Sequence, residues 1–192
     1  GVGIDNIDKA YAESKNIIVR NTPKSRSIAV AELTFALMLS VPNHIEEYDI
    51  GMKNGQWLKN IKRTELYGKT LGLLGIGNIA SKVAERAKAF GMKVIAYDKY
   101  VSSSPVATLV PTVEDVVRDA DYISIHMPLT DETRGMFNAR LFSIMTRKPV
   151  IINAARGGVV DEQALLRSGH PYILDTWENE PHIRPQVLQA AR

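Results

Sequence analysis

Thr70-Leu71-Gly72-Leu73-Leu74-Gly75-Ile76-Gly77-Asn78-Ile79-Ala80 is the stretch that decides the fold of this chain. The apolar run Thr70–Leu74 predicts a buried strand, and the pattern from Ser81 to Phe90 predicts a helix. A G-x-G-x-x-G/A turn between a strand and a helix is the context that makes a glycine fingerprint a dinucleotide site. Gly75 permits the tight turn, Gly77 lets the backbone approach a pyrophosphate, and Ala80 is small enough for helix to pack closely on strand. Ile76, Asn78 and Ile79 fill the remaining turn positions, where the helix N-terminus offers unpaired N–H groups to an anion. Asp98 closes the next apolar run, Val94-Ile95-Ala96-Tyr97, about twenty residues on, where a carboxylate can hold a ribose 2′-hydroxyl. Flanked by Tyr97 and Lys99, this acid favours NAD over NADP, because it repels a 2′-phosphate. A plain surface carboxylate at a strand end fits the same spacing.

Working outward, further short apolar runs occur at Ile17–Val19, Lys93–Tyr97, Tyr122–His126, Val150–Asn153 and Tyr172–Leu174. They are nearly continuous and rich in Ile and Val, as strands covered on both faces must be. Helical patterns at Val113–Asp119, Asn138–Met145 and Glu162–Arg167 separate most of them. Strand alternating with helix predicts an α/β fold, a Rossmann-type doubly wound parallel sheet. Ser25–Ser40 predicts a strong helix, its apolar residues Ile28, Ala29, Leu33, Ala36, Leu37 and Leu39 at helical spacing, for a core or a subunit interface. Ser102-Ser103-Ser104-Pro105 and Asn54-Gly55 predict loops.

At 192 residues, 45% hydrophobic and 23% charged, the composition is that of an ordinary globular chain with one good core. The net charge of +3 is too mild to argue for nucleic acid. Lys53, Lys59, Lys62 and Arg63 read as a solvated face. With no cysteine there is no disulfide framework or thiol chemistry, which fits a cytoplasmic setting. The best apolar stretch, Ile28–Val41, carries Glu32 and stops at Pro42, so a membrane partner is not expected. The sequence opens on Gly1 rather than Met, and the expectation is a part of a longer protein.

Two more motifs carry chemistry. In Asn153-Ala154-Ala155-Arg156-Gly157-Gly158-Val159-Val160-Asp161-Glu162 a buried run ends at Asn153. Small residues then allow a ligand to come close, and Arg156 precedes two glycines. Ligands of open parallel sheets sit beyond the carboxyl ends of the strands, where an arginine can fork onto a carboxylate. A salt-bridged or helix-capping arginine fits this motif equally well. The stretch Asp175-Thr176-Trp177-Glu178-Asn179-Glu180-Pro181 follows the last apolar run. From spacing alone its carboxylates suit a tuned base or a solvated loop.

Taken in order, these motifs join Gly1-Val2-Gly3-Ile4-Asp5-Asn6-Ile7-Asp8, Asn21-Thr22-Pro23, Glu65-Leu66-Tyr67-Gly68-Lys69-Thr70 and His126-Met127-Pro128-Leu129-Thr130. Together they resemble the D-isomer-specific 2-hydroxyacid dehydrogenases, most of all their phosphoglycerate-oxidising branch, with some erythronate-4-phosphate dehydrogenase character near Asp175. The resemblance implies a two-domain, NAD-dependent oxidoreductase acting on a small 2-hydroxy or 2-oxo acid. Residues 1–192 would be its NAD-binding domain, with 1–8 at the junction to a substrate domain largely outside this sequence and 181–192 leading back towards it. Arg156 would bind the substrate carboxylate and polarise the C2 oxygen, and Glu180 would pair with a catalytic histidine. Val2 and Gly3 would offer backbone N–H groups to the substrate. His126, Pro128, Thr133, Ala154, Ala155 and Asp175 would line the cofactor beside the fingerprint residues. A homodimer built on the Ser25–Ser40 helix is implied, as in other members.

The departures are specific. The family's histidine lies in a Thr-Pro-His-Ile-type segment beyond the Glu-Pro motif, and residues 1–192 contain none. His182 falls in the connecting loop and His126 at a strand end. Asn43 stands where many members carry arginine, and Leu165–Leu174 is shorter than usual. The resemblance extends to NAD-responsive corepressors, so a binding module is the rival to an enzyme.

Overall fold

A computed structural model describes residues 3–4, 6–22 and 24–190. Three helices come first: α1 (Lys9–Ser14), α2 (Ser27–Asn43) and α3 (Ile45–Lys53). Strands and helices then alternate: β1 (Thr70–Leu74), α4 (Asn78–Ala89), β2 (Lys93–Tyr97), β3 (Thr108–Leu109), α5 (Val113–Val117), β4 (Tyr122–Ile125), α6 (Ala139–Ser143), β5 (Val150–Asn153), α7 (Glu162–Ser168), β6 (Tyr172–Leu174) and α8 (Pro185–Ala190). The six strands form one sheet in the order β3-β2-β1-β4-β5-β6, every neighbouring pair parallel. The chain leaves β1 towards β2 on one side and returns to β4 on the other. That reversal makes the carboxyl end of β1 a crevice between diverging loops.

The period-2 alternation of the strands divides the core. Leu71 and Leu73 of β1, Val94 and Ala96 of β2, and Val150 and Ile152 of β5 face α2 and α4, where they meet Phe35, Met38, Val83 and Ala87. Leu74, Ile123, Ile125, Ile151 and Leu174 face the other way onto α5, α6 and α7, against Val116, Phe142, Ala164 and Leu165. Both faces are covered, which is why these strands read as unbroken apolar runs.

The structure corrects three expectations. Ile17–Val19 forms no strand: Ile17 N–H caps α1 by donating to Ala12 O at 2.8 Å, and Ile18 is 78% exposed. A strand needs an edge to pair with, and none of the described sheet reaches it. The helix expected to stop before Pro42 runs on to Asn43 with the proline inside its last turn, where it withholds one backbone donor from the helix. His44, at φ 52°, then ends it, its ring held by Glu47 and the Lys62 carbonyl. Asn43 donates back to Leu39 O, so it caps the helix. The third difference is local: α4 begins at Asn78 rather than Ser81, with Gly77 as its N-cap.

Candidate functional site

The glycine fingerprint, Asp98, His126–Thr130, Asn153–Glu162 and Asp175–Pro181 converge on the carboxyl edge of the sheet, because in a parallel sheet every strand delivers its following loop to the same edge. Gly75 adopts φ +91°, the left-handed region open to glycine, and a Cβ there would press on the His126 carbonyl at 3.0 Å. Gly77 is exposed, and a Cβ on it would meet nothing within 4 Å. Protein packing therefore does not demand glycine at 77; the space suits a ligand lying against the backbone. Ala80, fully buried on α4, packs in the core facing β1 and β2.

Asp98 completes this half of the site. Its Oδ2 accepts from Ile76 N–H at 2.9 Å, and its Oδ1 from Tyr100 N–H at 2.8 Å and Val101 N–H at 3.2 Å. The carboxylate thus ties the fingerprint turn to the loop after β2. A dinucleotide fits this donor set: a glycine turn with open space, a helix N-terminus and a fixed carboxylate for a ribose diol.

The loop after β4 forms the next wall. His126 is driven down to about 4 by burial of its ring, so it is neutral at ordinary pH. Its Nε2 meets Ser124 Oγ at 2.9 Å, an i, i+2 pair on one face of β4 and its extension. Thr133 Oγ1 donates to Pro128 O at 2.6 Å and accepts from Thr130 N–H at 2.8 Å, which fixes the loop between them.

The turns after β5 and β6 lock together. Buried Asn153 donates from Nδ2 to Arg156 O at 2.9 Å and accepts from Ala155 N–H at 3.0 Å, shaping the Ala154–Arg156 turn. Arg156 is half-buried, and its Nη1 donates to Ala155 O at 2.8 Å. A Cβ at Gly157 would run into the Trp177 carbonyl and Glu178 N. Glu162, only 2% exposed, accepts from Glu178 N–H through Oε1 at 2.5 Å; burial raises its pKa. Glu180 then accepts from Trp177 N–H through Oε2 at 3.1 Å, and Asp175 N–H donates to Asn153 O at 2.9 Å. The turns bearing Arg156 and Glu180 are therefore one unit.

Three residues stand apart. Val2 lies outside the described residues. Gly3 is exposed ahead of α1, with no hydrogen bond to these turns among the described residues. His182 is exposed in the turn that closes on Asn179 O. Sequence reasoning missed Asn153, Ser124 and Glu162 as shaping residues. For Ser124 a signal existed, since a serine two residues before a histidine in a strand shares its face. A cavity of about 700 Å³ lies elsewhere, between α2, α3 and the amino ends of β4 and β5, lined by Pro42, His44, Ile50, Leu58 and Tyr122. It is remote from the fingerprint and shares none of its residues. Of the basic residues near it, Lys53 pairs with Asp49, and Arg63 lies over Tyr48.

Among known proteins, the family described as D-isomer specific 2-hydroxyacid dehydrogenase, NAD binding domain, matches residues 35–191. The D-3-phosphoglycerate dehydrogenase of Methanocaldococcus jannaschii is 44% identical over 94% of this chain, which covers 36% of that protein. The hydroxypyruvate reductase of Thermotoga maritima is 43% identical over 98% of this chain, which covers 64% of that protein. A D-lactate dehydrogenase from Aquifex aeolicus, solved with NAD and lactic acid, superposes with a TM-score of 0.86 at 33% identity, covering 98% of this chain and 62% of its own. The chain thus spans between about a third and two thirds of each relative's length.

Proposed function

Because the chain belongs to the D-isomer-specific 2-hydroxyacid dehydrogenases and carries their NAD-binding domain, we propose that the protein interconverts a D-2-hydroxy acid and its 2-oxo acid, with a phosphoglycerate-like substrate. The observation that carries this reading is the locked pair of turns bearing Arg156 and Glu180, set beside the glycine crevice on one sheet edge. NAD, when bound, supplies the ring that exchanges a hydride with C2. Gly75, Ile76, Gly77, Asn78 and Ile79 would face its pyrophosphate, and Asp98 the adenosine ribose. His126, Pro128, Thr133, Ala154, Ala155 and Asp175 would wall the rest. Asp98 also makes NAD the preferred cofactor over NADP.

In this reading Arg156 grips the substrate carboxylate and stabilises charge at the C2 oxygen, with Val2 and Gly3 adding backbone N–H groups. Glu180 orients a histidine supplied from outside residues 1–192 and favours its protonated form. His126 is not that histidine, since a ring driven down to about 4 is a poor proton acceptor at neutral pH. The reading keeps 1–8 as the junction to a substrate domain and 181–192 as the return towards it. It also makes the protein a homodimer through α2 and α3, which expose Ile28, Leu33, Ile45, Ile50 and Met52 beside the exposed Trp57.

The test is direct. Residues 1–192 alone should bind NADH saturably and show no measurable oxidation of D-3-phosphoglycerate, D-lactate or D-glycerate. Absence of the general base alone costs about 10²–10⁴-fold. Turnover by residues 1–192 would place the base within them and overturn the assignment of Glu180.

A further inference from the structure

Resting on the cofactor reading above, we infer that Glu132 is a selectivity residue: it occupies Lys99 and so denies a 2′-phosphate the cation that follows the ribose carboxylate in the chain. Lys99 follows Asp98 directly in the loop after β2, and Glu132 stands in the loop after β4. Their charged ends meet at 2.6 Å from Nζ to Oε2. Because β1 lies between β2 and β4 in the sheet, this ion pair joins the two loops that flank the fingerprint turn. It therefore sits on the adenosine side of the crevice, next to the residue that discriminates between the two cofactors.

The chemistry has two opposing parts. Asp98 favours a free 2′-hydroxyl and repels a 2′-phosphate, whereas a cation close to that carboxylate is what accommodates the phosphate. An unpaired Lys99 would weaken the discrimination Asp98 provides. Glu132 removes that cation by a charge-assisted hydrogen bond and brings a second carboxylate to the same place. The hydrogen bond to Glu132, and then the Glu132 charge, raise the Lys99 pKa above its ordinary value. For a 2′-phosphate to use Lys99 it must first displace Glu132. For a ribose diol, which carries no charge, the pair is close to indifferent. Both side chains are solvent-exposed, which keeps the effect within the reach of salt screening.

The experiment is a double-mutant cycle read by NADH and NADPH binding to residues 1–192, using nicotinamide fluorescence or calorimetry. Glu132→Gln should tighten NADPH about tenfold and change NADH less than about twofold, the scale of one new charge-assisted hydrogen bond between Lys99 and the phosphate. Lys99→Met should leave NADH unchanged and weaken NADPH further. In Lys99→Met/Glu132→Gln most of the gain should vanish, and ~0.5 M salt should shrink the gain of the single variant. NADPH affinity unchanged in Glu132→Gln would overturn the proposal. So would an equal gain in the double variant, which would make Glu132 a source of general repulsion rather than a partner of Lys99. Loss of NADH binding by the unaltered protein would sink the cofactor reading itself, an outcome separate from either of these.

Discussion

Gly77 and Gly157 both stand in turns just past buried strands, β1 and β5, and a sequence reader meets them as the same kind of signal. Their surroundings are opposite. A Cβ at Gly77 would enter open space, whereas one at Gly157 would collide with the Trp177–Glu178 backbone. The first turn keeps room for something that is not protein. The second is closed solid against its neighbour, and the room it lacks is what fixes Arg156 relative to Glu180. Glycine thus marks close approach of the chain to itself at Gly157, and at Gly77, in the proposed reading, close approach to the cofactor.

The contrast between the turns breaks first at Gly157. Gly157→Ala must push apart two backbones, so it should destabilise the fold by more than about 4 kcal/mol, or prevent folding, as judged by urea midpoint. A variant as stable as its parent would mean the second turn is as open as the first. The next largest effect concerns the floor of the first turn. His126 is held down at about 4, against an ordinary value of 6.5. The folded state therefore resists a proton that the unfolded chain accepts. Stability from this source is fully present above pH 6.5 and is lost as pH falls towards 4, by about 3 kcal/mol in all. Urea midpoints across that window should fall in the parent and much less in His126→Asn. A flat parent profile would show that the ring is hydrated.

Glu162 tests the second turn from its other side. Glu162→Ala leaves Glu178 N–H without its acceptor and should cost about 1–3 kcal/mol. Glu162→Gln keeps an acceptor oxygen and should recover most of the loss. Equal losses in both would show that charge rather than the hydrogen bond matters. The smallest expected effect on stability sharpens the contrast most. Gly77→Ala should change the unfolding free energy by less than about 1 kcal/mol, yet weaken NADH about tenfold or more, because its Cβ fills the space the pyrophosphate needs. Lost stability with NADH affinity intact would invert the comparison.

The sheet was legible because its strands are covered on both faces, so Thr70–Leu74, Lys93–Tyr97, Val150–Asn153 and Tyr172–Leu174 appear as apolar blocks at their observed bounds. Thr108–Leu109, the two-residue β3, is too short to leave a pattern. Ile17–Val19 has the composition of a strand and no edge to join, and only the fold could reveal that. The helices α1, α3 and α8 lie outside the strand–helix alternation that made the similarly short α5, α6 and α7 readable. At the site, the residues at strand ends could be grouped, since parallel topology alone sends them to one edge. The bonds that hold them could not. Glu162 reaches Glu178 over sixteen residues and Lys99 reaches Glu132 over thirty-three, and no local pattern couples such positions.

Asp98 has a further consequence for how fast, rather than how tightly, a cofactor is taken up. Three backbone N–H groups already fix its carboxylate, so the rotamer freedom a binding acceptor usually loses on encounter has been lost on folding. In the proposed cofactor site the ribose meets an acceptor that does not have to search. Stopped-flow mixing with NADH should therefore give a single phase whose rate climbs linearly with concentration, without the plateau that a rearranging site imposes. Cutting one of the three tethers, with Asp98 itself intact, should introduce that plateau.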